Sequence, residues 1–341
     1  MIRHLSMKPT GWFQIGWSAE IAPGAVRPLK YFGHELVAFR TASGELSVLD
    51  AHCPHMGAHL GYGGRVVDDC IQCPYHGWRF DGCGSNTLIP YQEGTIRKRL
   101  RQWHVLEQHE IIFLWHDPAG GPPREGWLPH LFDFPDAPAS LEDFYPSYVN
   151  QAFVYSPGER LHPQVVVENS ADTMHFRYSH GAPEDPELLW FNADEPIWRS
   201  SMGFKSPKNG EIAMRMVSHV SGVGLSFTVF DHHRFGRRLV LSCTPVDDQH
   251  SDLRVTYFFP RDPVSPDVMP EQLRAAARET VLFFEQDALI WRHQKFVQQP
   301  IFAKQDVKAY TALRKWSDQF YEVTGAATGP MPIADEGEHG R

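Results

Sequence analysis

Over the first third of the chain, apolar residues come in short runs broken by turn residues, the pattern of strands rather than helices. Glu35-Leu-Val-Ala-Phe-Arg40 and Leu46-Ser-Val-Leu-Asp50 flank Ala42-Ser43-Gly44, which predicts a hairpin. Trp103-His-Val-Leu106 and Ile111-Ile-Phe-Leu-Trp115 predict two further strands. The segment Asp117 to Pro123 (DPAGGPP) is the strongest linker signal and sets a domain boundary there or shortly after.

Beyond the linker the pattern is mixed. Val165 to Tyr178 opens with an apolar run and continues as a predicted helix. Met214 to Asp231, Arg238 to Val246 and Leu253 to Phe259 alternate as antiparallel strands do, and Pro270 to about Phe296 reads as a long helix with proline at its start. Gly325 to Arg341 is rich in Gly, Pro and acidic residues and reads as a tail. The expected architecture is α+β: an all-β domain over 1–120, a domain of helices and antiparallel strands over 121–325, and a flexible tail over 326–341.

Composition narrows the function classes. The 341 residues are 42% hydrophobic and 21% charged, an ordinary globular balance, and 10 Trp with 22 Phe suffice for a large core and an apolar pocket. Net charge is −9 and no Lys/Arg run stands out, which argues against nucleic acid. No stretch reaches the ~18–20 apolar residues of a membrane span. The N-terminus carries no secretory pattern, and five cysteines spread through the chain do not make a disulfide framework. The expectation is a cytoplasmic protein whose clustered cysteines bind metal or do chemistry.

Residues 53–60 read Cys-Pro-His-Met-Gly-Ala-His-Leu and residues 73–80 read Cys-Pro-Tyr-His-Gly-Trp-Arg-Phe. Each loop offers a thiolate and an imidazole: Cys53 with His55, then Cys73 with His76 after seventeen intervening residues. Two such loops can grip a compact inorganic unit from both sides. A zinc ion accepts the same ligand set, and Cys70-x-x-Cys73 alone looks like half of a zinc ribbon, although no second Cys-x-x-Cys completes it. The double loop, with the stretch from Gly11-Trp-Phe to about Trp115, resembles the Rieske domain of ring-hydroxylating and related oxygenases. That resemblance implies a [2Fe–2S] cluster on Cys53, His55, Cys73 and His76, with His59, Cys70 and Cys83 as non-ligands. Two imidazoles in place of two thiolates raise such a cluster's potential from about −400 mV to roughly −150 to +300 mV, suited to relaying electrons from a reductase.

A second constellation lies at 168–180, Glu-Asn-Ser-Ala-Asp-Thr-Met-His-Phe-Arg-Tyr-Ser-His. Helical spacing would set Asp172 and His175 on one face, with His180 just past the helix end. Two histidines and one carboxylate, leaving positions open, suit a non-haem Fe(II) site that activates O2. Asp287 has Phe283, Phe284, Ile290 and Trp291 at helical spacing around it, so its carboxylate needs a cation or metal, whereas Glu285 falls off that stripe. His162, His232, His233 and His293 read as surface or strand residues, and Cys243 as merely buried.

Asn169-x-x-Asp172-x-x-His175-x4-His180, followed by Gln286-Asp287-x-x-Ile-Trp291, resembles the helix-grip-type catalytic domain of the same oxygenases. The resemblance implies a mononuclear Fe(II) held by His175, His180 and Asp287. It makes Asp172 a bridge from His175 to His76 of a neighbouring subunit, hence a ring, most simply a homotrimer, and puts Asn169 near the iron. The chain has neither a dinucleotide-binding glycine fingerprint nor a four-cysteine ferredoxin pattern, so electrons come from a separate NAD(P)H-dependent reductase with flavin or ferredoxin. The Asn169–Asp172 spacing, the length, Arg27-Pro-Leu-Lys-Tyr-Phe-Gly33 and Ile89-Pro90-Tyr91 resemble the branch of 3-ketosteroid 9α-hydroxylases and sterol 7-desaturases. The implied reaction is O2-dependent hydroxylation of a hydrophobic polycyclic substrate, with demethylation, dihydroxylation and desaturation using the same iron ligands.

Overall fold

The computed structural model describes residues 5–135, 137–193, 196–231 and 236–321. The expected tail and the pair His232-His233 lie outside the described residues.

The N-terminal part consists of three small antiparallel sheets. Gly11–Trp17, Ile111–His116 and Val105–Gln108 form the first. The predicted hairpin is the centre of the second, where His34–Arg40 pairs with Leu46–Asp50. The third, from Arg65–Val67 to Asn86–Leu88, is interrupted by one of the two Cys–His loops.

The rest of the chain is built on a seven-stranded antiparallel sheet. In spatial order its strands are Phe153–Glu159, Ser251–Phe258, Arg238–Pro245, Leu225–Asp231, Ile212–Ser221, Ile197–Lys205 and Glu187–Asn192. Side chains alternate across a strand, so each has two distinct rows. One row, including Val255 and Tyr257, packs with Leu273, Ala277, Phe284 and Trp291 of helix α3 (Glu271–His293). The other row meets the N-terminal part: Trp17 Nε1 donates to Thr256 Oγ1 at 2.9 Å, and Thr244 Oγ1 donates to the Gln14 carbonyl at 2.6 Å. A continuous aromatic core runs from Trp12, Trp17 and Trp115 through Trp127 and Phe132 to Trp198 and Phe227. The linker therefore does not divide the buried core.

Several expectations are corrected here. Val165–Tyr178 is not one helix: α1 (Pro163–Glu168) ends where Asn169–Asp172 tighten into i→i+3 turns, and α2 (His175–Tyr178) begins after them. Ser170 Oγ donates to the Val167 carbonyl at 2.8 Å, the local competition that breaks helices at serine. Met214–Asp231 is a hairpin that turns at Gly222–Gly224. Strands Phe153–Glu159, Glu187–Asn192 and Ile197–Lys205, and helix α4 (Val307–Ser317), were not anticipated. His162 caps α1, its Nδ1 accepting from Gln164 N–H at 3.1 Å.

Candidate metal centres

The two Cys–His loops have matching geometry. The amide of Gly57 donates to the Cys53 carbonyl at 2.9 Å, and that of Gly77 to the Cys73 carbonyl at 3.1 Å. Both glycines adopt φ near +74°, a conformation a side chain would strain. The loops face one another: the His55 and His76 rings lie 4.5 Å apart, and His55 stacks on Trp78. Cys53 and Cys73 are each 2% exposed, and burial pushes the Cys53 thiol up to about 11. His55 Nδ1 is buried with no hydrogen-bond partner. Paired buried thiols and an orphaned imidazole nitrogen fit an electrophilic group held between the loops, which would deprotonate the thiols.

Among the described residues, one group of three side chains brings its ligand atoms within 4.8 Å of one another: His175, His180 and Asp287. His180 Nε2 lies 3.1 Å from Asp287 Oδ1, and its Nδ1 lies 2.9 Å from Gln286 Oε1. Burial lowers the His180 pKa, but Asp287 and Gln286 outweigh it and the net shift is upward. His175 Nδ1 is buried without a hydrogen bond, and Asp172 Oδ1 is 3.7 Å away. Two imidazoles and a carboxylate so arranged fit a divalent metal with open positions. Asp287 sits at the edge of the apolar stripe rather than its middle, because Phe284 and Trp291 are buried while Phe283 and Ile290 are half-exposed. Glu285 points away, 3.5 Å from Arg292.

Two cavities meet at His175 and Asp287. One, of about 500 Å³, is largely apolar and lined by Phe176, Met216, Phe230, Leu239, Val255 and Phe284 among others. Its hydroxyls are mostly accounted for, as Ser218 and Thr228 bond each other at 2.9 Å. The other, of about 240 Å³, is polar and contains Asp172, Glu168, Gln294 and Tyr310. His175, Asp287, Asn169 and Trp291 border both. Asp172 lines the polar cavity and not the apolar one. Its carboxylate accepts from the His175 backbone N–H at 3.2 Å. Burial raises its pKa, but His175 and the hydroxyl of Tyr310 outweigh this and hold it below the usual carboxylate range. Tyr310 was missed from sequence; Ala309, Leu313 and Trp316, buried at helical spacing on α4, were the available signal.

Comparison with known proteins agrees with this layout. Residues 11–104 match the Rieske [2Fe-2S] domain, and residues 114–321 match the 3-Ketosteroid 9alpha-hydroxylase C-terminal domain. An N-terminal cluster domain joined to such a catalytic domain defines a Rieske-type iron-dependent oxygenase. Because the second match spans more than half of the sequence, the chain belongs to the 3-ketosteroid 9α-hydroxylase family of these enzymes. Among relatives, cholesterol 7-desaturase nvd 1 of Ciona intestinalis is 29% identical over 92% of this chain and 68% of its own length. The 3-ketosteroid-9-alpha-monooxygenase oxygenase component of Mycolicibacterium smegmatis is 28% identical over 94% of this chain and 84% of its own. Dicamba monooxygenase bound to dicamba shares the fold at TM-score 0.63 and 17% identity, covering 93% of this chain and 98% of that one. No described helix is long and apolar enough to cross a membrane.

Proposed function

We propose that this chain is the oxygenase component of a multicomponent monooxygenase that uses O2 and reductase-supplied electrons to hydroxylate a hydrophobic, steroid-like polycycle. The observation that carries this reading is the opening of His175, His180 and Asp287 onto a largely apolar cavity of about 500 Å³. That volume lies within the roughly 300–1,000 Å³ of small-molecule sites. Cys53, His55, Cys73 and His76 would hold the [2Fe–2S] cluster, and His175, His180 and Asp287 a mononuclear Fe(II). When bound, that iron supplies the position at which O2 is activated beside the substrate. Phe176, Met216 and Leu239 present apolar surface to the substrate and exclude water, while Gln286 orients His180 through its Nδ1.

Asp172 would bridge His175 to His76 of a neighbouring copy in a homotrimer. Two facts support this. No residue of the 53–76 loops borders the polar cavity of the same chain among the described residues. Bulky side chains are exposed on both surfaces such a contact would cover: Met56, Tyr62 and Tyr75 around the loops, and Tyr178 and Ile290 around Asp172. The reading keeps residues 1–120 as the cluster domain and 121–325 as the catalytic domain, in a cytoplasmic protein served by an NAD(P)H-dependent reductase. Sterol desaturation is the second reading, because relatives named for it are as similar as those named for hydroxylation. Reconstitution with a reductase and a panel of 3-ketosteroids, sterols and methoxyarenes tests both, by substrate-stimulated O2 uptake and product mass. A gain of one oxygen supports hydroxylation, a loss of two hydrogens supports desaturation, and uptake only with methoxyarenes overturns both.

A further inference from the structure

The apolar cavity contains a cation that a neutral sterane would not use. Along Arg238–Pro245 and Ser251–Phe258, the cavity row is Leu239, Leu241, Val255 and Tyr257, and Arg237 extends it by one position. The Arg237 carbonyl accepts from Phe230 N–H at 3.0 Å, which places it opposite Phe230, itself paired with Met216 on the next strand. Its guanidinium lies over the Phe230 ring, 4.3 Å from the centroid, so the layer around it is apolar.

Among the described residues Arg237 has no carboxylate partner. Its Nε is buried without a hydrogen-bond partner. The neighbour that favours its charge is the Tyr257 phenol, and burial pulls its pKa below the ordinary arginine range. In sequence, 232–236 include no carboxylate, and Asp231 before them is exposed. Other inward-facing arginines are provided for: Arg40 pairs with Glu107, Arg254 with Asp252 and Arg314 with Glu168, while Arg238 is taken by the carbonyls of Leu131 and Ala137. Arginine cannot shed its proton to escape such a site. A planar, two-pronged acceptor supplied by a ligand would complete it.

We infer that Arg237 anchors a carboxylate carried by the substrate, so that the cavity takes a steroid acid rather than a neutral sterol. The inference rests on the steroid-like reading above and deepens it. The anchor is set back from the reacting end: Tyr257 OH reaches the Thr280 carbonyl at 3.4 Å, and Thr280 and Asp287 are two turns apart on α3, about 10 Å. A rigid polycycle with its carboxylate at Arg237 presents its far end to His175, His180 and Asp287.

The test is calorimetric titration of the iron-loaded full chain with 3-oxochol-4-en-24-oic acid, its methyl ester and androst-4-ene-3,17-dione. The acid is expected to bind at least about tenfold more tightly than its ester, the range of a charge-assisted hydrogen bond. In Arg237→Met, which keeps a stem over Phe230, that preference falls to within about twofold; in Arg237→Lys part of it survives. Equal affinity of acid and ester for the wild type, or a preference unchanged in Arg237→Met, overturns the anchor. Binding of ester and dione with no preference for the acid leaves the steroid reading standing and removes the anchor alone, whereas no binding of any of the three removes both. Should Arg237→Met lose its cluster absorbance, the wild-type ratio and Arg237→Lys decide.

Discussion

Asp252→Ala tests whether a buried charge cluster holds the cluster domain to the catalytic sheet. Asp252 and Arg254 are 5% and 3% exposed. Asp252 Oδ2 accepts from Tyr31 OH at 3.1 Å, Tyr155 OH at 3.0 Å and Arg254 Nη2 at 3.2 Å, and Oδ1 accepts from Gly158 N–H at 2.9 Å. Tyr31 belongs to an N-terminal sheet and Tyr155 to the edge strand Phe153–Glu159, so one carboxylate ties three elements. Alanine leaves Arg254 with the Tyr31 hydroxyl, 2.8 Å away, and the face of Tyr155. Removing one partner of a buried pair costs about 3–5 kcal/mol. Unfolding entropy of roughly 2.1 cal/mol/K per residue gives about 0.7 kcal/mol/K for this length, so a loss of about 4 kcal/mol lowers Tm by roughly 6 °C. Thermal unfolding followed by tryptophan fluorescence and by visible cluster absorbance measures it, and both transitions should shift. Asp252→Ala/Arg254→Met should recover at least about half of the loss, since no unpaired charge remains. A shift under about 2 °C, or a double variant less stable than the single one, refutes the reasoning.

Asp172→Asn preserves an acceptor for the His175 N–H and should leave both metals bound while turnover falls at least about 100-fold; iron content and O2 uptake check this, and normal turnover removes the bridging role. Asp287→Ala takes the carboxylate from beside His180 and should lower total iron toward what the cluster alone accounts for, with visible absorbance unchanged; full retention of iron by elemental analysis would sink the assignment. Burial holds His116 neutral down to about 4, so between its unfolded pKa near 6.5 and that value the unfolded state binds the extra proton, and stability falls with pH. The stability gap between wild type and His116→Gln should therefore narrow by about 2 kcal/mol from pH 7 to pH 5 in urea titrations; a constant gap contradicts the shift.

The two metal-binding patterns were readable because their chemistry demands particular side chains at short spacing. Cys53, His55, Cys73 and His76 sit on loops whose geometry is local, held by Gly57 and Gly77. His175 and His180 were found for the same reason, although the helix expected to carry them is broken at Asn169–Asp172. Their proximity survives because tight turns replace helical ones without moving Asp172 away from His175. Asp287 was found through an apolar stripe that the structure only half supports. The unexpected strand Ile197–Lys205 (IWRSSMGFK) carries weak alternation; its Trp198 is buried against Phe191 of the neighbouring strand and the distant Trp316.

The cavity was unreadable for a deeper reason. A sheet covered on both sides is apolar on both rows, so alternation identifies strands without saying which row faces the site. In Arg238–Pro245, Leu239 and Leu241 line the cavity while Val240 packs in the aromatic core behind. Polar residues do not break the tie, as they occur on either side. Ser242, Thr244 and Thr256 stand on the back row, and Ser218, Ser226 and Thr228 on the front. Only their partners separate them. The back hydroxyls bond Gln14 and Trp17 and so fix the cluster domain in place, whereas Ser218 and Thr228 bond each other and present little polarity to the cavity. With the front row neutralised in this way, Arg237 is the lining group outside the metal triad whose Nε finds no hydrogen-bond partner among the described residues, the place the inferred carboxylate would take.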